Sequence, residues 1–514
     1  MATIRGRALV VVAVLAAQVV AAVATGPAAR AAVPGAGGQF VAKLYSEGLG
    51  RAPDAGGWAS SLQAVQAGDC SAEVLRNLAR GVYTSGEFEG LGLDAASRVL
   101  ALYRGVLNRE PDSGGFTTYH AQLTANPGAW PAVVEAFVGS AEFAGLRGAI
   151  CGGGSYGFGA GAVLALPTAG GGFTGGTAAQ LQALLDATPA GGTVTLAQRA
   201  VVLVDRPVTV PPGVTLITAG APASRLYARM GRLVRTTAFA DAAVKLSSGS
   251  RLHSVWVDGR RSAVGHSQPA MNVQTFGGDG VVVDHNRFSE PAGWTNFQAL
   301  GTYEGFRCGS EWVRSNLITA YVPSHAGGWT DGLSIACENT VVEGNHILDA
   351  TDVSIVVFRA HPAVQRSVVR GNLAVNAGNS AYGGYVADGL TGVAGAQSFA
   401  GTVFDGNTIW ASPAQHIDIV LSVGTRAWFG NASSLGSGAA FVNNTTAGQV
   451  TRTNTGIAVS GMLNAHVQAN VLSTAITNTI ACPDGNVLAS ISAGWASGSI
   501  QPHQDVAVNG CMGH

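Results

Sequence analysis

Two short segments of the chain carry an aspartate just ahead of an alternating apolar run: TDGLSI at 330–335 and TDVSI at 351–355. Their aspartates, Asp331 and Asp352, are 21 residues apart. Two carboxylates held close on one face raise each other's pKa and can divide acid and base roles. Carboxyl groups about 5–9 Å apart span both geometries that cleave a glycosidic bond. An aspartate ahead of a strand also makes an Asx turn with its own backbone, so each could instead be a structural cap.

Other polar and aromatic side chains gather around this pair. Asp331, Asp352, His416 and Arg359 are candidates for catalysis; Trp329, His325, Tyr382, Tyr385, Asp388 and Asp418 are candidates for substrate contact, with His361 nearby. Flat aromatic faces beside carboxylates suit sugar rings and their hydroxyls. A β-elimination would need a base beside a uronate carboxylate. No lysine follows Lys245, which leaves Arg359, His416 or Tyr385 for that task. His416 and Asp418 alternate along an apolar run and so point the same way, as a catalytic pair or as a polar rim. Trp329 either flanks a sugar or packs within a loop.

A repeat must hold these residues together. A β run followed by Asn recurs as VVVDHNRF, WVRSNLI, VVEGNHI, VVRGNLAV, VFDGNTI, FVNNTT and VQANVL, placing Asn286, Asn316, Asn345, Asn372, Asn407, Asn444 and Asn470. Their spacings are 30, 29, 27, 35, 37 and 26. Periods of this length without helical patterning mean a solenoid of strands. Stacked Asn side chains can then bond to one another at the ~4.8 Å strand spacing. On this reading Asp331 and Asp352 lie one turn apart on the same sheet, and the 21-residue echo is the pitch of the coil.

With its opening PAGGTVTLAQRAVVL and PVTVPPGVTLI, the region 177–514 resembles the pectate-lyase-like superfamily. That resemblance implies an all-β, right-handed parallel β-helix. Within the superfamily, WTDGLSI and ATDVSI are similar to the polygalacturonase motifs N-T-D-G-I and D-D. Trp329 stands where Asn is usual, Val353 replaces the second Asp, and neither G-H-G nor R-I-K occurs. Thr177–Thr188 reads as an amphipathic helix with a T-x-x-Q capping box, placed to cover the open end of the solenoid.

Upstream, helical periodicity dominates and a unit is duplicated. LYSEGLGRAPDAGGW at 44–58 matches LYRGVLNREPDSGGF at 102–116, and TSGEFEGL at 84–91 matches GSAEFAGL at 139–146. These paired motifs resemble the domain of unknown function 4214 and imply an all-α domain over 36–151. Asp54 and Asp112 read as helix caps or as metal ligands. Residues 152–176 are glycine-rich and read as a flexible linker.

The first 31 residues have two arginines, an apolar run from Leu9 to Ala24 and small-residue cleavage sites, as in a secretory signal peptide, with an uncleaved anchor as the alternative. Six cysteines in an oxidising compartment allow 15 pairings. The local one joins Cys70–Cys151, Cys308–Cys337 and Cys482–Cys511. With 11% charged residues and net charge −1, the chain offers no basic face for nucleic acid. No cofactor is expected; Ca²⁺ is chemically possible, but no loop has a dedicated ligand spacing. The expectation is a secreted monomer, free of the membrane after signal cleavage, that acts on an extracellular polysaccharide as a lyase or glycoside hydrolase. The alternative is a non-catalytic glycan-binding or adhesion protein with the solenoid as a rigid scaffold.

Overall fold

The computed structural model describes residues 37–152, 161–221, 227–267, 269–300, 308–320, 328–358, 365–389, 397–429, 434–446, 450 and 453–472, with strand segments at 480–481, 490–491 and 501–502. The signal peptide, His325, Arg359, His361, Cys482 and Cys511 lie outside the described residues.

From Phe173 onward every named strand pairs in parallel with its counterpart on the next coil. Among the described residues the strands form sheets of 19, 11 and 3 strands. The chain is therefore an all-α domain followed by a parallel β-helix. Each central coil runs through a short strand, a tight turn, a second short strand and then a strand of the eleven-stranded sheet, as in Val282–Asp284, Arg287–Ser289 and Thr295–Leu300.

The turn explains the recurring asparagine. Its preceding residue is left-handed on coil after coil: His285, Ser315, Gly344, Gly371, Gly406, Asn443 and Ala469 all have φ between 53° and 61°. Asn then turns inward and is buried. Its Nδ2 donates to Oδ1 of the next coil's Asn at 2.8–3.0 Å, from Asn286 through to Asn470. The same Oδ1 accepts a backbone N–H, as where Asn316 N–H donates to Asn345 Oδ1 at 3.0 Å. Beside this ladder the inward residues Val283, Val313, Val342, Val369, Phe404, Phe441 and Val467 stack in register and are fully buried. Outside it, Asp284, Arg314, Glu343, Arg370 and Asp405 stack with alternating charge.

The helix Ala178–Asp186 closes the N-terminal end. Its capping box forms, with Thr177 N–H donating to Gln180 Oε1 at 2.9 Å, and Leu181 and Leu185 enter the solenoid core. Cys308–Cys337 joins neighbouring coils, and Cys70–Cys151 closes the helical domain.

In the helical domain the duplicated motifs build duplicated contacts. Asp54 and Asp112 are N-caps, accepting from the N–H groups of Gly57 and Gly115 at 2.8 Å. Arg51 and Arg109 each bridge their cap to the glutamate of the later S-x-E-F motif, Glu87 and Glu142. The domain docks on the solenoid flank, sharing a core with Leu317, Leu348, Val375 and Trp410. Buried between the two are three carboxylates and three guanidinium groups. Glu47 bonds Arg104 at 2.8 Å and Arg287, Glu110 bonds Arg104 and Arg232, and Arg232 bonds Asp258. Burial pushes Glu47 up, but Arg104 and Arg287 outweigh it and hold the carboxyl at about 2. Arg104 and Arg232 also lie over the Trp256 ring, at 4.6 and 3.8 Å.

The segment expected as a flexible linker is strapped down where it is described. Leu164 and Leu166 pack on the helical core, Arg199 Nε donates to Pro167 O at 2.7 Å, and Phe173–Thr177 is already a strand of the solenoid. Its glycines hid two apolar anchors.

Removing one rung tests the ladder. Asn345→Ala leaves the backbone N–H and one Nδ2 hydrogen of Asn316 without an acceptor in a dry interior. It should lower stability by about 2–4 kcal/mol, read from the midpoint of urea unfolding.

Candidate functional site

Four successive strands of the eleven-stranded sheet carry the candidate residues: Asp331–Ile335, Val353–Phe358, Ala381–Asp388 and Ile417–Val423. The coils are adjacent, as the spacing predicts, but the register differs from the 21-residue echo. Leu333 pairs with Ile355, a shift of 22, so Asp331 faces Val353 and not Asp352. Asp352 sits one residue ahead of its strand, its N–H donating to Thr330 O at 3.1 Å. The likeness between TDGLSI and TDVSI is a likeness of sequence: the aspartates are 21 apart and, with the extra Gly332 in the first segment, the Ser-Ile pairs are 20 apart, whereas the strands pair at 22.

That glycine also displays Asp331. A Cβ at Gly332 would lie 2.3 Å from Ser354 O and 2.7 Å from the Ile347 side chain, so the position turns inward where only glycine fits. Leu333 follows it into the core. Asp331 is half-buried. Its Oδ1 accepts the Val353 N–H at 3.2 Å, and its Oδ2 lies 2.7 Å from Ser334 Oγ. Burial, with repulsion from Asp352, pushes Asp331 well above the usual carboxylate range.

Asp352 lies opposite Tyr382, and Tyr382 opposite Asp418, on three consecutive coils. Trp329 and Tyr382 belong to the coils on either side of Asp352, yet their rings meet edge to face at 5.3 Å. The aromatic pair thus spans the coil of Asp352. Burial raises Asp352 to about 6, with a further contribution from Asp388. The register sets Asp388 beside Phe358, at the far end of the strand, so its repulsion acts over a longer range. Burial also takes Tyr382 up to about 12, helped by Asp352 and Asp418.

Asp418 Oδ2 accepts the indole N–H of Trp428 at 2.8 Å, and its Oδ1 stands 3.9 Å from His416 Nε2. The alternation His-Ile-Asp therefore brings His416 and Asp418 together, beyond hydrogen-bond range. Asp388 is nearly buried and accepts from Thr425 Oγ1 at 2.8 Å. Val353, Val356 and Val386 form an outer apolar patch flanked by Phe358 and Trp428.

Tyr385 is a correction. It is fully buried inside the solenoid, and its hydroxyl donates to the carbonyl oxygen of Thr408 at 2.7 Å, with that of Asn372 at 3.1 Å. A Cβ at the preceding Gly384 would lie 2.3 Å from Val420 O, so two successive residues turn inward and Tyr385 touches no substrate. Sequence reasoning missed Ser334, Thr295 and Trp428. Ser334 lay in view, three residues after Asp331. Trp428 carries no local signal, because it reaches Asp418 from beyond the strand.

Metal-type ligand sets occur away from this face. His253 Nδ1 and His285 Nδ1 each lie 3.1 Å from Asp284 Oδ2, but Arg251 holds both oxygens of that carboxylate, at 2.9 and 2.7 Å. This set is a satisfied ion cluster. Beside Glu311, Cys308 and Cys337 are joined to each other, so neither offers a thiolate. A cavity of about 290 Å³ opens between the domains, lined by Arg51, Asp54, His346 and Trp410. Its carboxylate is the Asp54 helix cap, held low by the Gly57 N–H, which suits structure and not proton transfer.

Residues 79–147 match the family described as domain of unknown function DUF4214. No curated protein sequence matches the chain. Among solved structures, it is similar to an alginate lyase from Paenibacillus sp. (11% identity, TM-score 0.36, 64% of this chain and 97% of the other). It is also similar to an endo-xylogalacturonan hydrolase from Aspergillus tubingensis (12%, 0.41, 63% and 88%). A third is the catalytic unit of an alpha-1,3-glucanase from Streptomyces thermodiastaticus (15%, 0.36, 67% and 72%). The fold assignment rests on the parallel registers described above.

Asp352 has a pH signature. Its folded pKa of about 6 exceeds the ~3.9 of an unfolded aspartate, so the native state keeps a proton that the unfolded chain releases. Its contribution to stability is intact below pH ~4 and falls as pH rises to about 6. Asp352→Asn should remove that loss and stabilise the protein at pH 7 by about 1–2 kcal/mol, read as the difference between wild-type and variant unfolding across this window.

Proposed function

We propose that this protein is a secreted enzyme that hydrolyses an extracellular polysaccharide on the outer face of the eleven-stranded sheet. The observation that carries the reading is the column Asp352, Tyr382 and Asp418, with Asp352 under the Trp329–Tyr382 pair. A carboxyl with a pKa of about 6 is suited to give up a proton near neutral pH. Asp418 lies two strands away, roughly 9–10 Å between backbones. That separation leaves room for a water molecule between two carboxyl groups, as in inverting glycoside hydrolysis.

In this scheme Asp352 gives its proton to the glycosidic oxygen as the C–O bond breaks, and the bonding electron pair stays on that oxygen. Water adds to the anomeric carbon from the opposite side, and its proton passes to Asp418. The Trp428 N–H on Asp418 and the nearby His416 orient the base. Half-buried Trp329, Tyr382, Phe358 and Trp428, the last two backed by buried Val353 and Val356, offer apolar faces to sugar rings. The disulfides Cys70–Cys151 and Cys308–Cys337 agree with an oxidising compartment, and among the described residues no helix is long and apolar enough to cross a membrane.

Purified protein should release reducing ends from at least one member of a broad polysaccharide panel. It should do so without the ultraviolet absorbance of an unsaturated elimination product. Asp352→Asn should lower kcat by at least about 10²-fold. Unsaturated products would replace hydrolysis with elimination. Binding without cleavage would make the solenoid a glycan-binding scaffold.

A further inference from the structure

Three buried oxygen contacts beside Asp331 can be counted in protons. Thr295 Oγ1 donates to the main-chain oxygen of Phe297 at 2.9 Å. Ser334 Oγ stands 2.9 Å from Thr295 Oγ1 and 2.7 Å from Asp331 Oδ2. Thr295 and Ser334 are 1% and 3% exposed, so the chain is closed to water. With each contact filled by a hydrogen bond of its own, three protons are needed, and the two hydroxyls hold one each. Phe297 O has none to give. Thr295 must spend its proton there and accept from Ser334; Ser334 is then left with none for Asp331. The third proton must sit on Asp331 Oδ2, while Asp331 Oδ1 accepts the Val353 N–H as a neutral carboxyl oxygen does.

We infer that Asp331 is a permanently neutral member of the acidic cluster, locked by the one-way chain through Ser334 and Thr295 to Phe297 O, and that proton transfer is left to Asp352. Burial and the nearby Asp352 push Asp331 toward the same neutral form. The consequence for the neighbour follows: a neutral Asp331 adds no second negative charge beside Asp352, so Asp352 can ionise near neutral pH. Ser334 and Thr295 are then positioning residues that act through Asp331. The protonation state stands on its own, whereas its effect on turnover rests on the proposed hydrolase.

Two measurements keep those claims apart. In the infrared difference between wild type and Asp331→Asn at pH 8, the protonated-carboxyl C=O stretch of Asp331 should be present. A carboxylate band in its place overturns the inference whether or not the protein is an enzyme. For turnover, Asn at 331 can donate from Nδ2 to Ser334 and accept from Val353, so Asp331→Asn should keep kcat within about threefold, in contrast to Asp352→Asn. Thr295→Val frees the Ser334 proton to turn toward Asp331 and favours its carboxylate. That new charge should move the pH limb governed by Asp352 upward by about one unit. The same substitution made on Asp331→Asn should move nothing. An inactive Asp331→Asn variant of native fold, or an unmoved limb in Thr295→Val, would overturn the assigned role.

Discussion

Everything placed on the outer face of the solenoid depends on one amide per coil. The Asn side chain at the inner turn donates to the next Asn, accepts a backbone N–H and donates to a strand carbonyl, all without water. An amide is the side chain that has both a donor and a two-lone-pair acceptor in that compass. The ladder sets coil against coil at the inner turn. It leaves the outer loops free to vary, which is why the coil lengths range from 26 to 37 residues while the inner registers stay continuous. The outer face inherits its precision from that continuity: Asp352, Tyr382 and Asp418 line up because their strands cannot slip.

The helical domain adds a second constraint of a different kind. Six buried charged groups balance between it and the solenoid, three of each sign, and aromatic faces cover the guanidinium planes. Such a set costs desolvation and contributes little net stability, but breaking any member leaves a charge unpaired in a dry interface. It fixes how the domains meet more than how firmly each folds. The docking residues Glu47, Arg104 and Glu110 lie within the duplicated segments, Glu110 as the variable residue of the second R-x-P-D, at positions where the other copy has Gly105, Ser46 and Ala52.

Much of this was legible in the residues. The Asn series, with turn residues just before it, gave the solenoid and its coil lengths because a ladder demands one residue type at each turn. The T-x-x-Q box gave the end helix. The nearness of Asp331 and Asp352 was also readable, but their register was not: the two segments align at 21 or 20 residues while the strands pair at 22, and no period reveals that. Tyr385 reads as a companion of Tyr382, but residues three apart on a strand face opposite sides, so an outward Tyr382 already points Tyr385 inward. The interdomain ion network was invisible, because its members are isolated charges whose partners lie up to 240 residues away. The hydroxyl chain was hidden for the same reason: Thr295 belongs to a different coil from Ser334.

In the proposed hydrolysis, acid and base on the outer face are separated by two strands, with Asp331 a silent neighbour. Such a separation commits the reaction to one stereochemical course. Proton NMR of the first-formed product, recorded before mutarotation, tests it most directly: the account predicts an anomeric configuration opposite to that of the cleaved bond. A first product with the original configuration would contradict it, because retention needs a nucleophile at a distance this column of residues does not provide.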